Sequence, residues 1–446
     1  MAWLTDRRLL FAAALAWLGV ALIGLVFGPP LGHDEAAFAV TANGHAPSGA
    51  WLYRSEGTVA IAKIGIALGG ADWQLRLTNT VINTALVFAA FAVGRSAGSA
   101  RTGAWAAALL AGAHPMALRN AELLGDLPAT ACVLAAIAIL VGELDRADGP
   151  RWRIVAAGPV FAAAFYLRYG SAPIVAFALA VAMLMWWRAV LARPLRIVVM
   201  VVILALLLIP HLMQSLDRTG SLLGILSVSA GMPRRAYVGE GLVTYFTSNP
   251  FMFYGFLLAP VMIAGLVGLP RIRRRAPWYL AIVALGQMFS LGLQSHGQPR
   301  YVFVATALLV VVGVDVLAGS RWANARVALG LVVASWLGVV VAASLLFRHL
   351  DDTRAPLVEA ARVIRADTGE RSCSIVAMIV PQLLWYSECQ VFASGLLEEP
   401  LRADDNRYAV WLERWPIDLP ALLAGQHLQA TTMPMADPRV RVWRLH

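Results

Sequence analysis

Long apolar stretches recur along the chain at 9–27, 73–94, 102–117, 126–143, 153–168, 171–188, 195–213, 250–270, 277–294, 300–319 and 326–347, each bounded by a short polar segment. Most approach the ~20 residues that a helix needs to cross the hydrocarbon of a bilayer. Helices of this kind satisfy every backbone group within one segment, which lipid demands. The pattern therefore predicts a mainly α membrane protein with about eleven transmembrane helices. The first stretch is long and has no small-residue cleavage site after it, so it reads as an anchor rather than a removable leader.

The polar segments alternate in charge. One set carries Arg7 and Arg8; Arg95 and Arg101; Arg146, Arg151 and Arg153; Arg188, Arg193 and Arg196; Arg271, Arg273, Arg274 and Arg275; Arg321 and Arg326. The positive-inside rule assigns these to the cytoplasm. The other set, 28–72, 118–125, the short Arg168-Tyr169-Gly170 turn, 214–249, 295–299 and everything after about 348, then lies outside. The expected location is the inner (plasma) membrane, multi-pass, with a cytoplasmic N-terminus and an extracytoplasmic C-terminal region.

Composition agrees. Hydrophobic residues make up 59% of the 446 and charged residues only 14%, against roughly 25% charged in a soluble domain. Mean hydropathy is +0.69. The net charge of +10 would suggest nucleic acid in a soluble protein. Here it is distributed as topology requires, and no nucleic-acid partner is implied. Lys63 is the sole lysine; with abundant Ala and Gly this usage suits a GC-rich bacterial genome. Neither a Walker A sequence nor a G-x-G-x-x-G opening a helix is present.

Two segments break the rhythm. The first outer loop, 28–72, contains Val59–Leu68, which is apolar but too short to span and predicts a helix lying at the interface, with a re-entrant segment as the competitor. The loop 214–249, with Arg234, Arg235 and Tyr237, has the length at which functional loops are commonly mobile, with a passive connector as the alternative. After residue 350 the charge rises. Leu357, Ala360, Ala361 and Ile364 have helical spacing within 355–368, and 374–380, 408–412 and 440–445 read as short strands. These predict a small C-terminal extracytoplasmic α/β domain over 350–446, beside a multi-spanning domain over 1–349. Cys373 and Cys389 both fall in it, where a disulfide is permitted. Cys132 lies mid-span and reads as packing.

The candidate chemistry collects on the outer side. His33, Asp34 and Glu35 follow the Pro29-Pro30 break, and an acidic pair beside lipid is costly to hold. Arg54, Glu56, Arg76, Glu122, Asp126, Arg168, Arg234, Arg235, His296 and Arg300 lie at or near the same side.

In order and spacing, residues 9–320 resemble the GT-C-type glycosyltransferases that use polyprenyl-phosphate sugars, of the dolichyl-phosphate-mannose protein mannosyltransferase and aminoarabinose transferase type (glycosyltransferase family 39-like). Asp34-Glu35 matches the acidic pair that opens the first outer loop in that family, and Arg76 the Arg that ends it. Asp126, in Leu124-Gly125-Asp126-Leu127-Pro128, matches the second Asp. Arg168 stands where many members have Lys, and Arg300-Tyr301 matches the late Arg-Tyr pair. The resemblance implies a membrane glycosyltransferase, hexosyl or pentosyl, that moves a monosaccharide from a polyprenyl-phosphate donor to a lipid, glycan or protein acceptor. It implies Asp34 as the base, with Asp126 the other acidic candidate and Glu35 beside them, and Arg168, Arg300, Tyr301 and His296 at the donor phosphate. His33, Arg54 and Arg76 are further loop contacts. No cofactor is required by these residues. A divalent metal, used by relatives in the wider superfamily, stays open.

Each residue has a plainer reading. Asp126 caps a helix; Arg168 and Arg300 reach for lipid headgroups; Asp34-Glu35 is a solvated pair; His114-Pro115 is a kink. Two other functions remain for the chain as a whole. A transporter or flippase of lipid-linked sugars would place its charges near the midplane. A non-catalytic scaffold would leave Asp34 and Asp126 unrelated in space.

Overall fold

The computed structural model describes residues 6–46, 51, 53–231, 235–318, 325–369, 371–393, 406–426 and 428–446. Arg234 and Arg321, named above, lie outside them. Among the described residues seven helices are long and apolar enough to cross a membrane: Asp6–Val26, Asp72–Ala97, Asp126–Leu144, Pro194–Thr219, Arg275–Gln294, Pro299–Ala318 and Arg326–Thr368. Trp152–Leu167, Tyr169–Met185 and Leu258–Arg271 are shorter apolar helices.

Several expected elements take a different form; the stretch at 250–270, for one, is split into Pro250–Phe253 and Leu258–Gly268. The stretch at 102–117 is helical only over Ala100–Ala111, where Ser99 accepts from the Thr102 N–H at 3.1 Å, and Gly112 ends it. His114–Ala117 is a separate turn with a proline at its start. Twelve residues rise about 18 Å, short of a full crossing. In the tail, the apolar stretch at 326–347 and the amphipathic stretch at 355–368 are one helix, Ala325–Thr368, with Pro356 inside it. The residues between them, Arg348 to Ala355, contain no glycine, and a single proline removes one hydrogen bond without obliging the chain to turn.

By contacts the chain divides into two compact units. The first comprises Met1–Leu25, Leu52–Ile61 and Arg76–Ala343. Its most enclosed long helix, Asp126–Leu144, packs on Ala85–Ala97, Ala157–Leu167 and Phe303–Ala318. Helices approach closely where side chains are absent. A Cβ on Gly94 would stand 2.5 Å from the Cα of Gly103, so Ala85–Ala97 and Ala100–Ala111 touch backbone to backbone, as small-residue packing allows in membranes.

The second unit comprises Val26–Trp51, Ala62–Leu75 and Ser344–His446. Among the described residues it holds five strands: β1 (Cys373–Ala377), β2 (Gln390–Ala393), β3 (Asn406–Leu412), β4 (Ala430–Thr432) and β5 (Val440–Leu445). Their order is β2-β1-β3-β5-β4. β1 is parallel to β2 and β3, while β5 runs antiparallel to β3 and β4. Every residue of β1 is buried, and alternate side chains serve opposite faces. Ile375 and Ala377 join a cluster with Leu357, Ala360, Ala361 and Ile364, the helix face expected from their spacing. Val376 joins Ala409, Ile417 and Leu445 on the other side. The strand expected to reach residue 380 stops at Ala377, because Pro381 opens the helix Val380–Ser387.

Cys373 in β1 and Cys389 just before β2 are disulfide-bonded, 16 residues apart. Closing a loop of that size stabilises by about 3 kcal/mol. Cys389→Ser should therefore speed protease cleavage of the 373–446 region under native conditions by roughly 100-fold. A cleavage rate equal to that of the unaltered protein would refute this.

Candidate functional site

The first unit gathers charge at one set of helix ends. Asp126 is the first residue of Asp126–Leu144, and Gly125 rather than Asp126 occupies the cap position. The Asp126 carboxylate is 7% exposed as a residue and pairs directly with the Arg168 guanidinium. Arg168 sits in extended backbone just past the helix Ala157–Leu167. Its Nη1 also donates to the Arg300 carbonyl at 3.2 Å, and its guanidinium lies 5.2 Å from the Tyr301 ring centroid. The Arg300 guanidinium lies 5.7 Å from the same ring. Two arginines thus share one aromatic surface, a geometry that favours the planar guanidinium over an ammonium.

The Pro299–Val302 turn is held from behind. Arg300 Nε donates to Gln298 Oε1 at 2.7 Å, Gln298 Nε2 meets His296 Nε2 at 2.8 Å, and Gln287 Nε2 donates to the Tyr301 carbonyl at 3.2 Å. His296 stacks edge-on against Tyr301 at 5.9 Å. Its Nδ1 is buried with no hydrogen-bond partner among the described residues, and a buried polar atom of this kind calls for a partner.

Arg168 is positioned through the residue before it. Ser55 Oγ and Thr58 Oγ1 both donate to the Leu167 carbonyl, at 2.7 and 2.8 Å. Gly125 packs against the same carbonyl and against Thr58 Oγ1, where a Cβ would collide. Between the two hydroxyls, burial pushes the Glu56 carboxyl above the usual range, and Arg218 opposes that shift.

The segment before Asp126 is held by a polar stripe. Arg76, Asn79, Thr80 and Asn83 are all buried on the Asp72–Asn83 helix. Asn79 Nδ2 donates to the carbonyls of Glu122 and Leu124, and Thr80 and Asn83 both donate to the Asn120 carbonyl. Asn120 in turn donates to the Trp17 carbonyl at 2.9 Å. Glu122 pairs with Arg119 at 2.6 Å. Spacing of i, i+3, i+4 and i+7 marks one helix face, so this stripe was legible in the sequence, yet only Arg76 was singled out from it.

The first-loop carboxylates belong to the second unit. His33, Asp34 and Glu35 form the first turn of the helix His33–Ala42. His33 is exposed, Asp34 half-buried and Glu35 buried. Glu35 Oε2 accepts from the Gly32 N–H at 2.8 Å and lies 3.8 Å from Arg354 Nη1, which donates to the Pro30 carbonyl at 2.7 Å. The Leu31 N–H donates to Tyr386 Oη, and Tyr386 Oη donates to Asp72 Oδ2, both at 2.6 Å. Arg354, Tyr386 and Asp72 were not foreseen, because these partners are 314 or more residues away in the chain. Arg54, in the first unit, stacks over Tyr53 at 4.9 Å. Among the described residues no three His, Cys, Asp or Glu side chains come together to hold a metal ion.

A sequence-family model described as dolichyl-phosphate-mannose-protein mannosyltransferase matches residues 45–213. No curated protein sequence matches the chain. Among solved structures, ArnT from Cupriavidus metallidurans in the apo state is 16% identical over 96% of this chain and 97% of its own, with a TM-score of 0.72. The same protein bound to undecaprenyl phosphate is 18% identical over 97% of each chain, also at 0.72. The Archaeoglobus fulgidus oligosaccharyltransferase, tethered to an acceptor peptide, is 14% identical over 91% of this chain and 68% of its own, at 0.61. At these identities the likeness establishes the fold.

The seat of Arg168 is testable at Gly125. Gly125→Ala should lower the stability of the purified protein by about 1–3 kcal/mol, the usual cost of overpacking, seen as a lower thermal midpoint. An unchanged midpoint would show that the Leu167 carbonyl is not tightly seated there.

Proposed function

We propose that this chain, a membrane protein with the GT-C glycosyltransferase fold of the protein mannosyltransferase and ArnT type, moves a monosaccharide from a polyprenyl-phosphate donor to an acceptor on the extracytoplasmic face. The observation that carries the reading is the gathering of Asp126, Arg168, His296, Arg300 and Tyr301 at one set of helix ends. A structure of this fold binds undecaprenyl phosphate, which supports a lipid-linked donor.

The donor presents an anomeric carbon bonded to a phosphate oxygen. The acceptor hydroxyl or amine attacks that carbon, and a new carbon–oxygen or carbon–nitrogen bond forms. The bond to the phosphate oxygen breaks, its electron pair leaves with the polyprenyl phosphate, and the acceptor proton goes to a base. Arg300 and Arg168 face the negative charge that grows on the leaving phosphate. Well-placed donors of this kind contribute roughly 3–4 kcal/mol each, and a guanidinium adds bidentate geometry. The buried Nδ1 of His296 supplies a further polar contact.

Asp34 is the base in this reading. It takes that role by its match to the family's acidic pair, while Asp126 pairs with Arg168 and Glu35 accepts from the Gly32 N–H with Arg354 beside it. Both then act as positioning groups, Asp126 by orienting Arg168 and Glu35 by shaping the turn that carries Asp34. His33, Arg54 and Arg76 remain further loop contacts in this reading, as the family resemblance implies. The acceptor is a lipid, a glycan or a protein; a related structure carries a tethered acceptor peptide.

Purified protein given a panel of radiolabelled polyprenyl-phosphate sugars should transfer one of them. Asp34→Asn should lower the rate roughly 10²–10⁴-fold, the usual loss of a general base, with thermal stability unchanged. Full activity in that variant would overturn the base assignment. Arg300→Ala should weaken donor affinity about 10–100-fold, as loss of a charged hydrogen bond does. Donor affinity unchanged in Arg300→Ala would refute the phosphate role.

A further inference from the structure

The helices that carry the Asp126 cluster have a second charged end. Asp126–Leu144 rises about 28 Å from Asp126. The helix that follows Arg168 runs to Met185, and Arg275–Gln294 ends just before His296. At the far ends of these three helices lies a cavity of 610 Å³, within the first unit and within the size range of ligand pockets. Arg146, Arg188, Arg193, Arg273, Arg274 and Arg275 line it, against two acidic residues, Asp145 and Asp148. We propose that this cavity is an anion site, separate from the Asp126 cluster, that takes a phosphate group.

Topology alone accounts for the number of arginines in these loops. It does not account for their convergence on one cavity from three separate connections, 145–149, 186–193 and 273–275. Nor does internal pairing neutralise them. Asp145 Oδ1 accepts from the Trp186 indole at 3.1 Å. Asp148 pairs with Arg146 at 3.2 Å and faces Arg151 at 3.9 Å. Arg274 pairs with Asp315 at 2.5 Å, and Arg275 donates to the Met185 carbonyl at 3.4 Å. Among the described residues Arg188, Arg193 and Arg273 have no acidic partner, so like charges are held together without internal compensation. The buried Trp186 forms part of the wall.

A phosphate matches this lining. Guanidinium forks bind it bidentately and stay charged at any physiological pH. Basic pockets between membrane helices bind anionic headgroups at about 1 kcal/mol per residue. The ligand chemistry is therefore a phosphate mono- or diester, carried by a phospholipid headgroup or by a soluble phosphate compound. Leu191, on the 186–193 connection, is exposed and adds apolar surface to that segment.

Two probes distinguish the sources. Full-length protein is first equilibrated in micelles doped with phosphatidylglycerol or with phosphatidylcholine, and retained lipid is counted by native mass spectrometry. Inorganic pyrophosphate is then titrated calorimetrically into protein in undoped micelles. Preferential retention of phosphatidylglycerol identifies a membrane source, and saturable pyrophosphate binding a soluble one. Either should weaken about 5-fold in each of Arg188→Ala, Arg193→Ala and Arg273→Ala, and vanish in the triple variant. The single variants keep five of the six arginines, so they decide the matter if the triple variant fails to insert. Binding of neither probe above the phosphatidylcholine control would overturn the proposal. So would binding undiminished by the substitutions.

Discussion

The Asp126–Arg168 pair is the constraint around which the first unit is arranged. Neither charge is tolerable alone in a largely water-excluded site, and removing one partner of such a pair costs several kcal/mol. Held together, they tie the start of Asp126–Leu144 to the end of Ala157–Leu167. Arg168 then reaches the Arg300 carbonyl and the Tyr301 ring, so one guanidinium joins three helix ends. The close packing of Gly125 on the Leu167 carbonyl, and the two hydroxyls of Ser55 and Thr58 on the same atom, set where that guanidinium begins.

Several polar side chains within the apolar unit hold backbone in place. The stripe of Asn79, Thr80 and Asn83 satisfies the carbonyls of a bent, non-helical connection. Such backbone is permitted at membrane depth only where protein satisfies it. The second unit does the same around Asp34, with Glu35 closing the turn and Asp72 receiving both Tyr386 and Trp385. In both units hydrogen bonds from neighbouring side chains hold the backbone beside a proposed functional group.

The two charged ends of the bundle differ in kind. At the Asp126 end positive charge is matched to a carboxylate and laid over an aromatic ring. At the other end six arginines meet two carboxylates around a cavity. The same residue type stands at both ends, and only the three-dimensional arrangement separates the two settings.

Much of this was readable from the chain itself. Apolar run length and the alternation of basic loops predicted a helical membrane protein, because lipid leaves the backbone few alternatives. Helical spacing at Leu357, Ala360, Ala361 and Ile364 marked a packing face, and the order of Asp34, Asp126, Arg168 and Arg300 marked a family likeness. Local periodicity does not report where a helix stops for reasons of packing. The break at Gly112 and the continuous helix from Ala325 to Thr368 therefore emerged only on folding. Pairings between distant residues were likewise invisible, since nothing local links Leu167 to Ser55 and Thr58, Arg354 to Glu35, or Tyr386 to Asp72. Sequence determined which segments are apolar and which residues carry charge. Tertiary structure alone decided which charges are neutralised by a partner and which are held together without one, because that depends on distances the chain order does not contain.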